Sequence, residues 1–207
     1  DRKEKGRMLR YYPTQVLKLA GVRCSYEGNV PELLHECGLT DTPPAYMVLS
    51  NHISWLDIFS LDSQLPSRFI AKAEIAKWPV FGLIAQQIGT LFINRSSKRA
   101  ILRINDDIRG ALCNCEAVTI FAEGTTTFGN ELLPIKANFI APACEIGATV
   151  QPVILSYKNK GKPTKRAAFA GDVTLFGSLW NVVTMEDAEV VVHFLEPITN
   201  TKDLTRH

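Results

Sequence analysis

Short apolar runs rich in β-formers recur along this chain, separated by segments of helical length, and this alternation limits its fold more than any other feature. Residues 45–50, 68–71, 90–94, 117–122, 149–157 and 188–195 read as strands. Between them a helix begins at Trp55, and residues 78–88 and 138–147 read as further helices. The clearest helix opens at Ser96. It places Ile101, Ile104, Ile108 and Leu112 on one face and leaves Arg103, Asp106 and Arg109 more exposed. Strands alternating with helices predict an α/β fold, a single domain whose central, largely parallel sheet is flanked by helices. No internal repeat, low-complexity segment or linker interrupts the pattern.

The first ten residues are strongly charged. Met8, Leu9, Tyr12, Val16, Leu19 and Ala20 then form a helical stripe in spite of Pro13, so an amphipathic helix is expected ahead of the sheet. A length of 207 residues suits one core, and 46% hydrophobic with 21% charged residues is a globular balance. A net charge of +2 gives no ground for nucleic-acid binding. The five cysteines, Cys24, Cys37, Cys113, Cys115 and Cys144, have no zinc-type spacing and read as reduced, mostly buried thiols. No apolar run reaches the roughly 18 residues of a membrane-spanning helix, and there is no signal-peptide pattern.

Four stretches can carry chemistry. The sequence Asn51-His52-Ile53-Ser54-Trp55-Leu56-Asp57 follows a buried strand, where α/β folds expose functional groups. A His with a carboxylate partner is a general-base arrangement, the carboxylate fixing tautomer and ring orientation. On one continuous helix the two would stand about 140° apart, so they meet only if His52 lies in the loop and the helix begins after it. Ser54 offers that start as an N-cap, with Asp57 at the third helical position; the same residues also read simply as a capping box. The second stretch is a strand ending at Arg95 before Ser96-Ser97-Lys98-Arg99, either an anion grip at a helix start or a solvated helix terminus. In the third, Glu123, Gly124, Thr125, Thr126 and Thr127 follow a strand and form either a cradle for an oxyanion or phosphate or a polar turn. The fourth, basic residues from Lys158 to Arg166, is either a contact for anionic lipid or a nucleotide phosphate, or a solvated hairpin loop.

In this order these pieces resemble the PlsC-like lysophospholipid acyltransferases, the glycerolipid acyltransferases with a His-x4-Asp motif. Asn51, His52 and Asp57 match the first motif; Gly89, Phe92, Ile93 and Arg95 the second; Glu123, Gly124 and Thr125 the third; Pro152 and Val153 the fourth. The linking phrases Ala71-Lys72-Ala73-Glu74 and Leu133-Pro134-Ile135-Lys136 are similar too, and the resemblance spans roughly residues 45–197. It implies a membrane-facing helical segment over 1–40 and an acyltransferase catalytic domain over 41–207. It further implies an O-acyltransferase in which His52, oriented by Asp57, deprotonates the hydroxyl of a lysolipid of the 1-acylglycerol-3-phosphate type. Arg95, Glu123, Gly124, Thr125 and Thr126 would bind the acceptor and its phosphate, with Lys72 and Lys136 as further anion contacts. No metal and no cofactor are implied; acyl-CoA or acyl carrier protein serves as co-substrate. The partners implied are the lysolipid acceptor, the thioester donor and a membrane surface. The expected location is the cytoplasmic face of a membrane, peripheral or anchored by a segment upstream of Asp1.

Two departures from the family pattern bear on the substrate. Ala122 stands where Pro is usual, and Thr126 stands where an Arg is usual, which removes a phosphate-binding cation. Lyso-ornithine lipid acyltransferases share the Glu-Gly-Thr-Thr form, so an amino-acid-containing lysolipid is the alternative acceptor. A thioester hydrolase, using the same His to activate water, and a non-catalytic lipid-binding module are the rival classes. A hydrolase needs no anion clamp, and a binding module needs no oriented base.

Overall fold

The computed structural model describes residues 2–30, 45–78, 81–93, 98–135 and 137–203. The elements in chain order are α1 (Arg2–Leu19), β1 (Val22–Gly28), β2 (Tyr46–Ser50), α2 (Leu56–Gln64), β3 (Arg68–Lys72), α3 (Phe81–Gln87), β4 (Leu91–Ile93), α4 (Lys98–Cys113), β5 (Val118–Phe121), α5 (Ala141–Ile146), β6 (Thr149–Asn159), β7 (Lys162–Pro163), α6 (Leu175–Val183) and β8 (Ala188–Phe194). The strands form one sheet in the order β1-β8-β6-β2-β5-β3-β4, with β7 hairpinned onto β6. The five strands from β6 to β4 in that order run parallel to one another. β8 is antiparallel to β6 and parallel to β1, so β1 and β8 point the other way.

Side-chain alternation sends successive strand residues to opposite faces of the sheet. One face carries Val48, Phe69, Val153, Leu155 and Tyr157, packed with Leu56 and Leu61 of α2, Leu65 just after it, Leu17 of α1 and Val182 of α6. The other carries Met47, Val118, Ile120 and Val150 under Ile104, Ile108 and Leu112 of α4 and Ala143 of α5. The predicted stripe of α4 is therefore its buried face, although the side chain of Ile101 lies outside the described residues.

The sequence reading differs from the structure at several places. The helix expected over 78–88 is the shorter α3, and a 3₁₀ turn at Ala73–Lys77 precedes it. The helix expected over 138–147 starts later, at Ala141, because Pro142 sets its first turn; it ends at Gly147, which takes a left-handed φ of 72°. β1 and α6 were not expected. β1 lies within the segment read as purely helical, 1–40, yet it pairs with β8 from Val22 to Gly28. α1 runs through Pro13, packs against α2 with Leu17 buried, and leaves Tyr11, Tyr12 and Leu19 exposed. Cys24, Cys113, Cys115 and Cys144 form no disulfide with one another, and none is buried as expected, Cys113 being exposed and the other three half-buried; Cys37 lies outside the described residues. The basic run after β6 is the β6–β7 hairpin with its exposed turn.

The last turn of α2 carries a buried carboxyl that ties down the link to β3. Asp62 accepts the Ser67 N–H at 3.0 Å, and Ser67 Oγ meets Thr119 Oγ1 of β5 at 2.6 Å. Burial pushes the Asp62 carboxyl up to about 7, the Ser67 N–H offsetting part of the effect. The folded protein therefore holds this proton more tightly than the unfolded chain. Asp62 favours folding most below its ordinary carboxylate range, and this contribution is lost as pH rises from about 4 towards about 7. Asp62→Asn keeps an acceptor for Ser67 without the charge. It should flatten this decline and add stability on the order of 2–4 kcal/mol at neutral pH, from about 1.4 kcal/mol per unit. Thermal melts of parent and variant between about pH 5 and pH 8 check this; parallel profiles would count against it.

Candidate active site

Because β2, β5 and β6 are parallel, their carboxyl ends lie together, and the loops after β2 and β5 meet there. Asn51 ends the strand by imitating backbone. Its side chain accepts the Leu155 N–H at 2.7 Å and donates to the Leu155 carbonyl at 3.0 Å, extending the β2–β6 ladder by one step. His52 follows in the loop, ahead of α2, which is the arrangement required for it to reach Asp57.

Asp57 is fully buried and its two oxygens receive four donors. Oδ2 meets His52 Nδ1 at 2.8 Å and accepts the N–H groups of Ile53 at 2.6 Å and Ser54 at 2.9 Å. Oδ1 accepts the Tyr157 hydroxyl at 2.6 Å. The capping interaction and the His–Asp pair are thus one structure, since the carboxylate that orients His52 also ties down the loop before the helix. The helix starts one residue later than expected from Ser54 as N-cap. Trp55 holds the N-cap position, Asp57 is the second helical residue, and Ser54 Oγ accepts from the Leu56 N–H at 3.3 Å.

The His52 ring stacks on Phe121 at the end of β5, centroids 3.8 Å apart and planes within 8°. With Nδ1 given to Asp57, Nε2 has no hydrogen-bond partner among the described residues, and the side chain keeps 19% of its surface exposed. An Nδ1–H donated to a carboxylate leaves Nε2 as the basic nitrogen. Burial, then the negative charge of Asp57, push the Tyr157 hydroxyl well above its ordinary value, so Tyr157 stays a neutral donor.

Glu123 is buried, and both its oxygens are taken by backbone. Oε1 accepts the His52 N–H at 3.1 Å and Oε2 the Leu133 N–H at 3.0 Å. Within this geometry Glu123 joins the His52 loop to the loop after β5. Gly124 follows with φ of 71°, a left-handed conformation suited to glycine. Thr125 is exposed, and Thr126 donates its hydroxyl to the Phe169 carbonyl. The Thr127 N–H reaches the His52 carbonyl at 2.8 Å, and the Phe169 N–H reaches the Ile53 carbonyl at 2.8 Å. The structure thus brings His52, Asp57, Glu123, Gly124, Thr125 and Thr126 to one place. Lys72 is exposed at the end of β3, while Arg95 and Lys136 lie outside the described residues. Tyr157 and Phe121 were not singled out from sequence. Their only signal there was an aromatic residue in a strand, which does not distinguish a core position from a site position.

No cluster of His, Cys, Asp or Glu suited to a metal ion occurs among the described residues. Fold and site together define an α/β domain with a His–Asp dyad at the carboxyl end of a parallel strand. The Acyltransferase family model matches residues 24–156, and the chain belongs to that family. It is 43% identical over 154 residues to a 1-acyl-sn-glycerol-3-phosphate acyltransferase of Neisseria gonorrhoeae, covering 74% of this chain and 60% of the relative. It is 40% identical over 150 residues to a lyso-ornithine lipid O-acyltransferase of Pseudomonas aeruginosa, covering 72% and 58%. The chain therefore spans about three-fifths of the length of these relatives. The crystal structure of the 1-acyl-sn-glycerophosphate acyltransferase PlsC of Thermotoga maritima shares the fold, with a TM-score of 0.68 at 19% identity over 100% of this chain and 75% of that one.

Tyr157→Phe removes one donor from a buried carboxylate and leaves the ring in place. Hydrogen bonds to charged groups contribute about 1.5–3 kcal/mol, so urea denaturation should show a loss of that size. An unchanged midpoint would mean that the Tyr157–Asp57 bond adds nothing to stability.

Proposed function

We propose that this chain is an O-acyltransferase that moves a fatty acyl group from an acyl thioester to the free hydroxyl of a lysolipid in membrane lipid biosynthesis. The observation that carries this reading is the His52–Asp57 pair, 2.8 Å apart, with Nε2 unbonded among the described residues beside the loop of Glu123 to Thr126. Family membership and the names of the relatives support it.

In the reaction, His52 Nε2 takes the proton from the acceptor hydroxyl, and the oxygen attacks the thioester carbonyl carbon. The tetrahedral intermediate collapses by breaking the C–S bond. The departing sulfur of acyl-CoA or acyl carrier protein takes the proton back from His52, giving ester and free thiol. Asp57 stabilises the imidazolium that forms in between. The chemistry needs no covalent acyl-enzyme, metal or cofactor. Glu123 contributes by fixing His52, while Gly124, Thr125, Thr126 and Arg95 would bind the acceptor, with Lys72 and Lys136 as further anion contacts.

A lyso-ornithine lipid is the second acceptor reading, and Thr126 favours it. The position usual for an Arg carries a neutral hydroxyl already donated to Phe169. We place the enzyme on the cytoplasmic face of a membrane, peripheral or anchored by an upstream segment. The basic start, Arg2, Lys3, Lys5, Arg7 and Arg10, supports this, each such residue contributing about 1 kcal/mol near an anionic surface.

Release of free thiol with and without a panel of lysolipids, with acylated products read by mass spectrometry, separates transfer from hydrolysis. His52→Ala should lower transfer about 10²- to 10⁴-fold with the fold intact, and Asp57→Asn should be severely impaired as well. Near-normal turnover by His52→Ala would defeat the mechanism. Arg95→Ala should chiefly raise KM for the lysolipid, through the loss of a charge-assisted contact of about 1.5–3 kcal/mol. If only donor kinetics change, Arg95 serves the thioester instead.

A further inference from the structure

α6 exposes apolar side chains where an ordinary surface helix carries polar ones. It contains no charged residue, and it buries Ser178 along with Val182. The Ser178 hydroxyl accepts the Trp55 indole N–H at 3.2 Å. Phe176, Trp180 and Val183, spaced to form one stripe, face outward with 84%, 69% and 54% of their surfaces exposed. Contiguous exposed apolar area of this kind marks an interaction site.

This stripe is joined to the mouth of the dyad. Trp55, bonded to α6, lies between His52 and Asp57 in sequence. The chain entering α6 is fixed by Phe169, whose N–H and carbonyl bond the Ile53 carbonyl and the Thr126 hydroxyl. At Gly171 the ring of Phe128 lies at van der Waals distance from where a Cβ would stand. Phe128 belongs to the loop after β5, which also exposes Leu132 and Ile135. A second exposed apolar group therefore meets the segment that leads into α6. At the far end of α6, the exposed Arg166 donates to Thr184 Oγ1 at 2.9 Å, with exposed Lys165 beside it.

We propose that Phe176, Trp180 and Val183 of α6, with Phe128 and Leu132, form a docking rim that seats the dyad opening on a lipid bilayer containing anionic headgroups. Aromatic side chains suit the boundary between headgroups and acyl chains, and Arg166 and Lys165 complement lipid phosphates. The proposal rests on the lysolipid reading, because an acceptor held in a bilayer must present its hydroxyl to a His that cannot leave its loop. Seating the mouth on the bilayer shortens that path.

The full chain with residues 1–20 intact is compared with the double variant Phe176→Ser/Trp180→Ser in sedimentation with phosphatidylcholine vesicles containing about one quarter phosphatidylglycerol. The two side chains are exposed, and a matching thermal melt shows that the fold is kept. Vesicle affinity should fall at least about tenfold for each aromatic residue removed. Turnover of a bilayer-embedded lysolipid should fall in parallel, while turnover of a short-chain, water-soluble lysolipid stays at the parental level. Lys165→Gln/Arg166→Gln should cut affinity about fivefold per residue on the anionic vesicles only. Vesicle binding by Phe176→Ser/Trp180→Ser equal to the parent overturns the proposal. A parental dimer that this variant dissolves, with vesicle binding unchanged, also overturns it and assigns the face to a second copy. If the parent acylates no lysolipid but the variant still loses vesicle binding, the docking rim stands and the acyl-transfer reading falls.

Discussion

The buried carboxylate of Asp57 is the interaction on which the site geometry depends. An ionised group without solvent contact is costly unless it is fully hydrogen-bonded. Here it collects the His52 ring, two backbone N–H groups and the Tyr157 hydroxyl. Satisfying it fixes the path of residues 52–54, the start of α2 and the orientation of the imidazole. It also ties that loop to β6, from which Tyr157 projects. The stability of this corner and the chemistry proposed for it have the same origin, so changes that loosen one should disturb the other.

The sheet provides the setting. Five parallel strands bring their carboxyl ends to one edge, and the loops after β2 and β5 meet there through backbone bonds as well as through Glu123. Phe121 closes one face of the His52 ring. The β1–β8 pair runs in the opposite sense, so its carboxyl ends lie away from the dyad and it extends the core without lending residues to the mouth.

Much of this was legible in the sequence, for identifiable reasons. The strands were readable because apolar runs bounded by turn residues have few other uses. The His52–Asp57 pairing was readable because helical geometry allowed only one way for the two residues to meet. α6 escaped because apolar residues occupy both of its sides, Phe176, Trp180 and Val183 exposed and Leu175, Leu179 and Val182 half-buried or buried, so no single stripe stands out. β1 escaped although Val22, Cys24 and Tyr26 alternate with Arg23, Ser25 and Glu27 in the two-residue period of a half-buried strand; the run is short, holds one aliphatic residue, and pairs only with β8, far along the chain. Tyr157 escaped because its partner is 100 residues away in the chain, a contact that sequence pattern does not contain. The role of Glu123 was legible only as a polar residue after a strand; its service to two backbone N–H groups is a tertiary fact.

The double engagement of Glu123 limits how an architecture of this kind can vary. One carboxylate fixes loops whose contact points, His52 and Leu133, lie on separate parts of the chain, so neither loop can shift without releasing the other. The position of the base and the path of the following loop are set jointly. On the proposed lysolipid reading, adaptation to a different headgroup falls to side chains carried by these loops, such as Thr125 and Thr126, while the spacing between His52 and the backbone stays constant. Divergence in what such proteins accept would then show as exchanges of charge and size at a few loop positions around an immobile centre.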